Sequence, residues 1–485
     1  MVDRVNVTPL LCAALGAAAG FYFPAFVSLN AAAAAVTAHV FALCFFRVLA
    51  SLLRTRGLQI TSFCVTAFAS GLVLGICASA AGNVPFRPGM PEDKITAIEG
   101  VLLDDPRVIS GGMAAASVSL RRSSGASFLR VNAGGVVTVF FSRGSVQRLK
   151  DSGRGTVILA EGKLRPVGNG YTFGADSLHV LKRAPAVERM RTAVRAGIAS
   201  RLDGKSWGGL ALALLLGIKD NLDTNLAASY RDSGCSYILA LSGMHLAVIA
   251  GLIAFLLKRP LGLKKSAVTG AVIICLYCFL VGPLPSLNRA ALMYLLTTAA
   301  ILGALPKKPA SILALSFLIQ IVITPGAGNS ISFILSYLAL AGILAVGQPL
   351  YSIAKGNVPD FLLKPLTASA GAFLATAGVT GFVFGRVAPI GIAAGLALVP
   401  LTTVFMTGSM LWLLFDAFSL SGPLDLPLSL LCQLMDKIVS LAGSVPPVSP
   451  ANPAVILEIS LAIPLLIAAL EYKRRAALLR PRPFP

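Results

Sequence analysis

The chain has 485 residues, 56% of them hydrophobic and 13% charged, with a mean hydropathy of +0.81, which excludes an ordinary soluble domain and leaves an integral membrane protein. Its net charge of +21, from 41 Lys and Arg against 20 Asp and Glu, has two overlapping sources: basic loops held on the cytoplasmic side, and an anionic partner such as nucleic acid. Cys12, Cys44, Cys64, Cys77, Cys275, Cys278 and Cys432 lie inside apolar segments and Cys235 at the edge of one, so they read as core residues and not as a disulfide framework.

Apolar runs of bilayer-spanning length, roughly 17 to 25 residues each, recur from residue 9 to residue 470 and predict a polytopic α-helical membrane protein of about 11 to 12 spans. Residues 1 to 85 hold three of them, near 9–29, 31–53 and 58–80. The first reads as a span and not as a cleaved signal peptide, because another follows at once. Arg47, Arg54 and Arg56 place the second short loop in the cytoplasm, so whatever follows the third span is extracytoplasmic.

Residues 90 to 185 change character. Short alternating stretches such as ITAIEGVLL, TVILAEGKL and YTFGADSLHVL predict a small extracytoplasmic β domain, either a five-stranded barrel of the OB type or an antiparallel sandwich. Residues 186 to 230 read as amphipathic and interfacial. AVERMRTAVRAGIASRLD has helical spacing and a basic face suited to a membrane surface, and Trp207 to Ile218 is too short to cross.

From 231 to 471 the predicted spans come quickly, near 236–257, 266–282, 289–305, 309–324, 329–346, 366–385, 389–415, 429–443 and 453–470, the segment 429–443 being the weakest. The basic stretch KRPLGLKK, PKKP at 306 to 309, Lys355 to Lys364 and the tail 472–485 all fall on the cytoplasmic side of this count.

Absences narrow the function. No glutamate occurs between Glu188 and Glu458, which disfavours an ion-coupled transporter with a mid-membrane carboxylate. A relaxed phosphate-loop pattern, ASRLDGKS at 199 to 206, follows a helix instead of a strand and carries Ala199 in place of Gly, so no credible ATP site is predicted. His39, His179 and His245 are the three histidines, and no pair has metal-ligand spacing. No cofactor and no metal are expected, and the chain is expected to be a channel or transporter, not an enzyme.

The most distinctive stretch is YRDSGCSYILALSGMHLAVIAGL, residues 230 to 252, which sets a polar Ser-Gly-x-His group into an apolar helix. With Ser242 and His245 three apart on one helix, the group serves either as a small-residue packing surface around Gly243 or as part of a polar path. This stretch resembles the signature of the ComEC competence family. So, in the same order, do GPLPSLNRAALMYLL (282 to 296), GNSISFILSYLALAGIL (328 to 344) and the helix pair of 366 to 404 that ends in Pro400. Residues 92 to 185 resemble that family's OB-like domain. Against the family pattern, Gly395 stands where an Asn is expected, and no His-x-His-x-Asp-His sequence of a metallo-β-lactamase-like domain is present, so any nuclease is expected to be a separate polypeptide.

The resemblance implies a channel for single-stranded DNA in the bacterial cytoplasmic membrane, active in DNA uptake, with residues 231 to 471 as the channel domain. It implies an outer DNA receptor and a cytoplasmic helicase-like motor as partners, besides membrane lipid. Ser242, Gly243, His245, Asn288, Arg289, Ser332 and Ser336 are the candidate path, with Ser286, Thr376 and Arg386 as further polar positions. Arg289, at the start of a span, either meets an anion or snorkels to the interface. In the outer domain Arg121, Arg122, Arg130, Lys163 and Arg165 are candidates for phosphates, and Phe140, Tyr171 and Phe173 for base stacking, against the alternative of a solvated basic surface over an aromatic core. Phe140 and Phe141 cannot both face outward from one strand. The rival function is a transporter of a small solute or lipid-linked substrate. A Ser242–His245 hydrolytic dyad is disfavoured because a base normally reaches the hydroxyl from another helix.

Overall fold

The structure, a computed structural model, describes residues 8–22, 67–79, 86–109, 113–125, 130–142, 144, 152–167, 170–220, 222–356 and 358–449. The second predicted span, the last one and the basic tail lie outside the described residues. In chain order the elements are helices α1 (Thr8–Tyr22) and α2 (Ala67–Ser79), then strands β1 (Ile95–Leu102), β2 (Arg107–Ile109), β3 (Met113–Gly125), β4 (Arg130–Asn132), β5 (Val136–Phe141), β6 (Val157–Val167) and β7 (Gly170–Lys182). Helices α3 (Ala186–Leu202), α4 (Gly208–Leu216), α5 (Thr224–Asp232), α6 (Ser236–Leu239), α7 (Gly243–Val281), α8 (Pro285–Leu302) and α9 (Pro309–Ile323) follow. The last described are α10 (Ile331–Ala354), α11 (Asp360–Phe384), α12 (Gly391–Asp416) and α13 (Gly422–Gly443). Two compact units result: Asn83–Leu222 with Leu276–Pro283, and Met1–Gly82 with Asp223–Cys275 and Leu284–Pro485.

In the first unit β1 pairs with β3 and β6, β3 with β5, β5 with β7 in parallel, and β7 with β6. Five strands therefore close a ring in the order β1-β3-β5-β7-β6, the predicted OB-type barrel, and the sandwich alternative falls. Alternation fills it. Along β5, Val137, Val139 and Phe141 are buried while Val136, Thr138 and Phe140 are exposed. With Ile98, Leu102, Val118, Ile158, Phe173 and Leu178 they form one apolar core, each large side chain contributing about 1.5–3 kcal/mol on burial.

The basic face predicted for α3 does not lie wholly outward. Arg191, 3% exposed, pairs with Asp105 and, at 2.7 Å, with Glu188. Arg195 donates to the carbonyls of Leu216, Leu280 and Val281 at 3.2, 3.1 and 3.0 Å. These are the last carbonyls of α4 and α7, which have no partner inside their own helices and carry the negative end of the helix dipole. Burial lowers the Arg195 pKa from its ordinary value and Asp105 opposes that shift, so the guanidinium stays charged and clamps both helix ends. Arg189 and Arg201 remain outside, with Val187, Met190 and Val194. Helix α4, apolar all round, is buried from Leu210 to Leu216, as such a helix must be.

In the second unit α7, α10, α11, α12 and α13 are each long and apolar enough to cross a membrane, so the protein is a multi-pass membrane protein. The weak segment 429–443 is the second part of α13, which begins at Gly422 and reaches 22 residues. An unbroken helix of 39 residues would run to about 58 Å, twice the bilayer core. Gly262 leaves helical geometry at φ 73° and ψ 172°, and so divides α7 close to where the two predicted spans part. Within α10, Ile343–Gly347 forms a π-turn, and Gly371 of α11 packs against it so closely that a side chain there would fall 2.6 Å from the Gly347 nitrogen.

Candidate functional site

The Ser-Gly-x-His group does not sit inside a helix, contrary to the sequence expectation. After α6 the backbone turns extended at Ala240, and α7 starts afresh at Gly243. Ser242 caps it. Its Oγ accepts the Met244 N–H at 3.3 Å, while its own N–H donates to His245 Nδ1 at 3.2 Å. This is a reciprocal capping box with His where Glu or Gln is usual. The 3.2 Å separation of Ser242 Oγ from Nδ1 belongs to the same cap. Because Nδ1 accepts, the ring proton is assigned to Nε2, which is buried without a hydrogen-bond partner.

Arg289 lies on the second turn of α8 and is 8% exposed, so it turns into the protein and does not snorkel. Its Nη1 donates to the carbonyl of Ser336 on α10. Its Nη2 lies 2.8 Å from the point a Cβ would occupy on Gly243, so any side chain at the first residue of α7 would push the guanidinium from this position. Ser286 Oγ donates to the Leu241 carbonyl at 2.6 Å and ties the start of α8 to the α6–α7 turn. The guanidinium carbon stands 5.8 Å from the Tyr337 ring centre, and Tyr337 donates to Gln320 at 2.9 Å. Gln320 in turn donates to the Pro285 carbonyl at 3.1 Å. Ser242, Gly243, His245, Ser286, Arg289 and Ser336 thus meet in one polar cluster within an apolar bundle.

Gln320 and Tyr337 were not among the residues singled out from the sequence. A lone amide in the apolar run SILALSFLIQIVI was the available signal for Gln320. Asn288 is half-buried beside Arg289, and Ser332 is exposed, one turn before Ser336, outside these hydrogen bonds. Two other candidates have local partners. Thr376 donates to the Ala372 carbonyl of its own helix, and Arg386 pairs with Asp232 at 3.0 Å.

On the barrel, Lys163 and Arg165 alternate outward along β6. Register places Lys163 opposite Gly174, and Gly174 beside Phe140, so the ring of Phe140 and the lysine flank a position without a side chain. Arg121 and Arg122 are exposed near the other end of β3, six residues or about 20 Å from the Phe140 register position, and Arg122 stands 3.9 Å from Glu99. Arg130 is on β4, paired with Ser124. Tyr171 stacks on Phe86 at 4.3 Å, and its hydroxyl donates to Glu92, which raises the tyrosine pKa. Phe173 corrects the sequence expectation. It is wholly buried, because it shares the inward phase of β7 with Ala175, and its ring is core and not a stacking surface.

The family model described as Competence protein matches residues 214–475. Over 283 residues the chain is 23% identical to ComE operon protein 3 of Bacillus subtilis (strain 168), an alignment covering 56% of this chain and 35% of that protein. An uncharacterized protein of Aquifex aeolicus (strain VF5) is 28% identical over 236 residues, 48% of this chain and 54% of its own length. The chain therefore spans about a third to about half the length of the curated relatives it matches. No solved structure matches it. The matched stretch holds the capped start of α7, Arg289 and, among the described residues, each helix long and apolar enough to cross a membrane, and it covers more than half of the sequence: the chain belongs to the competence-protein family.

Proposed function

We propose that the protein is a channel that carries single-stranded DNA across the bacterial cytoplasmic membrane during DNA uptake. The observation that carries this reading is the polar cluster at the start of α7, where a buried arginine that has no carboxylate partner among the described residues is surrounded by hydrogen-bonding groups inside an apolar bundle. Buried cations in membrane segments are costly and mark the route of a charged substrate. A strand in transit presents an anion at every residue, and Arg is the side chain suited to it. Family membership supports the same substrate. On this reading the barrel is extracytoplasmic and receives the strand on Lys163, Arg165 and Phe140 from an outer DNA receptor. The basic loops face the cytoplasm, where a separate helicase-like motor draws the strand in.

The test is genetic. Deleting the gene in its host should leave fluorescent DNA outside the cytoplasm, and the wild-type gene should restore entry. The Arg289→Ala gene, at equal membrane expression, should not. DNA entering normally in the deletion strain would sink the proposal and turn attention to a small solute or lipid-linked substrate, whose uptake into proteoliposomes is then the assay.

A further inference from the structure

Arg289 is charged under all ordinary conditions, yet among the described residues no carboxylate pairs with it. Among the described residues only Nη1 is used, on the Ser336 carbonyl, while Nε is buried without a partner and no acceptor is bonded to Nη2. Nε and Nη2 form the side-on edge of the guanidinium, whose two parallel N–H groups match two oxygens of one anion. This edge sits at the first turn of α7, where Gly243 has no side chain to displace Nη2 and the N–H groups carry the positive end of the dipole. Helix α8, which carries Arg289, begins without a side-chain cap.

We infer that the Nε/Nη2 edge of Arg289, seated against Gly243 and backed by the start of α7, is a binding site for a single phosphodiester anion, whose two non-bridging oxygens accept the two N–H groups. This deepens the channel proposal and rests on it in taking the diester from a DNA strand; a lipid headgroup offers the same group. One charge meets one guanidinium, whereas a phosphate monoester brings nearly two. The ester carbons of a diester also suit the apolar walls that surround the cluster.

The full chain, purified in maltoside detergent and stripped of phospholipid, is titrated with thymidylyl-(3′→5′)-thymidine, with its neutral methylphosphonate analogue and with short-chain phosphatidylglycerol. The dinucleotide should bind and the methylphosphonate should bind at least about tenfold more weakly. Gly243→Ala, which puts a methyl against Nη2 and favours helix, and Arg289→Lys, which keeps charge but not the fork, should each weaken binding about tenfold or more. Equal binding of the methylphosphonate overturns the site, and that comparison needs no variant to fold. Equal binding by both variants overturns it as well. Phosphatidylglycerol binding that Gly243→Ala abolishes, with no dinucleotide binding, keeps the diester site and assigns it to lipid. If Gly243→Ala abolishes dinucleotide binding while cells carrying it import DNA normally, the site stands and the channel proposal fails.

Discussion

Two arginines, Arg191 beside the barrel and Arg289 in the helical bundle, are nearly equally buried at 3% and 8% exposure, and they are held in opposite ways. Arg191 meets Asp105 and Glu188, two carboxylates that neutralise it and fix α3 to the barrel. Arg289 meets one carbonyl and an aromatic face and, among the described residues, no carboxylate. Desolvating an ion costs several kcal/mol, so the first arrangement stabilises a fold, and the second is the one the channel proposal assigns to a substrate. Burial is the same in the two cases; the count of opposing charges is what differs.

Arg289→Ala breaks this contrast hardest: uptake should fall by about 100-fold or more, the scale of about 3 kcal/mol, while the melting temperature of the purified protein stays level or rises. Arg191→Ala should do the reverse. It leaves Glu188 without its ion partner and Asp105 with Arg195 alone, costing about 3–5 kcal/mol in denaturant unfolding, with uptake lost only in step with protein level. The barrel sharpens the same division between support and contact. Phe173→Ala should cost about 3–5 kcal/mol of stability, whereas Phe140→Ala should leave stability nearly unchanged and weaken oligonucleotide binding by about 1–3 kcal/mol in anisotropy titrations. Smallest is Ser242→Ala, which removes the α7 cap for about 1 kcal/mol; a loss of uptake beyond that destabilisation would show that the hydroxyl does more than cap.

Strand positions were legible because the barrel has one buried face, and period-two alternation survives in β5. The phase of a single aromatic was harder. Phe173 lies in β7, where the buried positions are Phe173, Ala175 and Leu178 and a bulge shifts the phase between the last two. The bundle posed a different difficulty, since apolar residues on every side of a span erase periodicity and hide where helices begin. The Ser242–His245 cap was read as two residues on one turn because S-x-x-H is not the usual capping pair, although its spacing is that of a capping box. The inward turn of Arg191 and Arg195 depends on Asp105, some ninety residues earlier in the chain, and no local pattern carries that information.

The closed ring of strands also governs how other chains can attach to it. A sheet with a bare edge can take in an extended peptide by adding it as a further strand, through main-chain hydrogen bonds that ask little of the visitor's sequence. Here β1, β3, β5, β7 and β6 use their edges on one another, and the three-residue β2 and β4 are too short to template much more. A protein that docks on this domain must therefore be selected through side chains and loops, so evolution can retune such a contact one residue at a time without disturbing the ring.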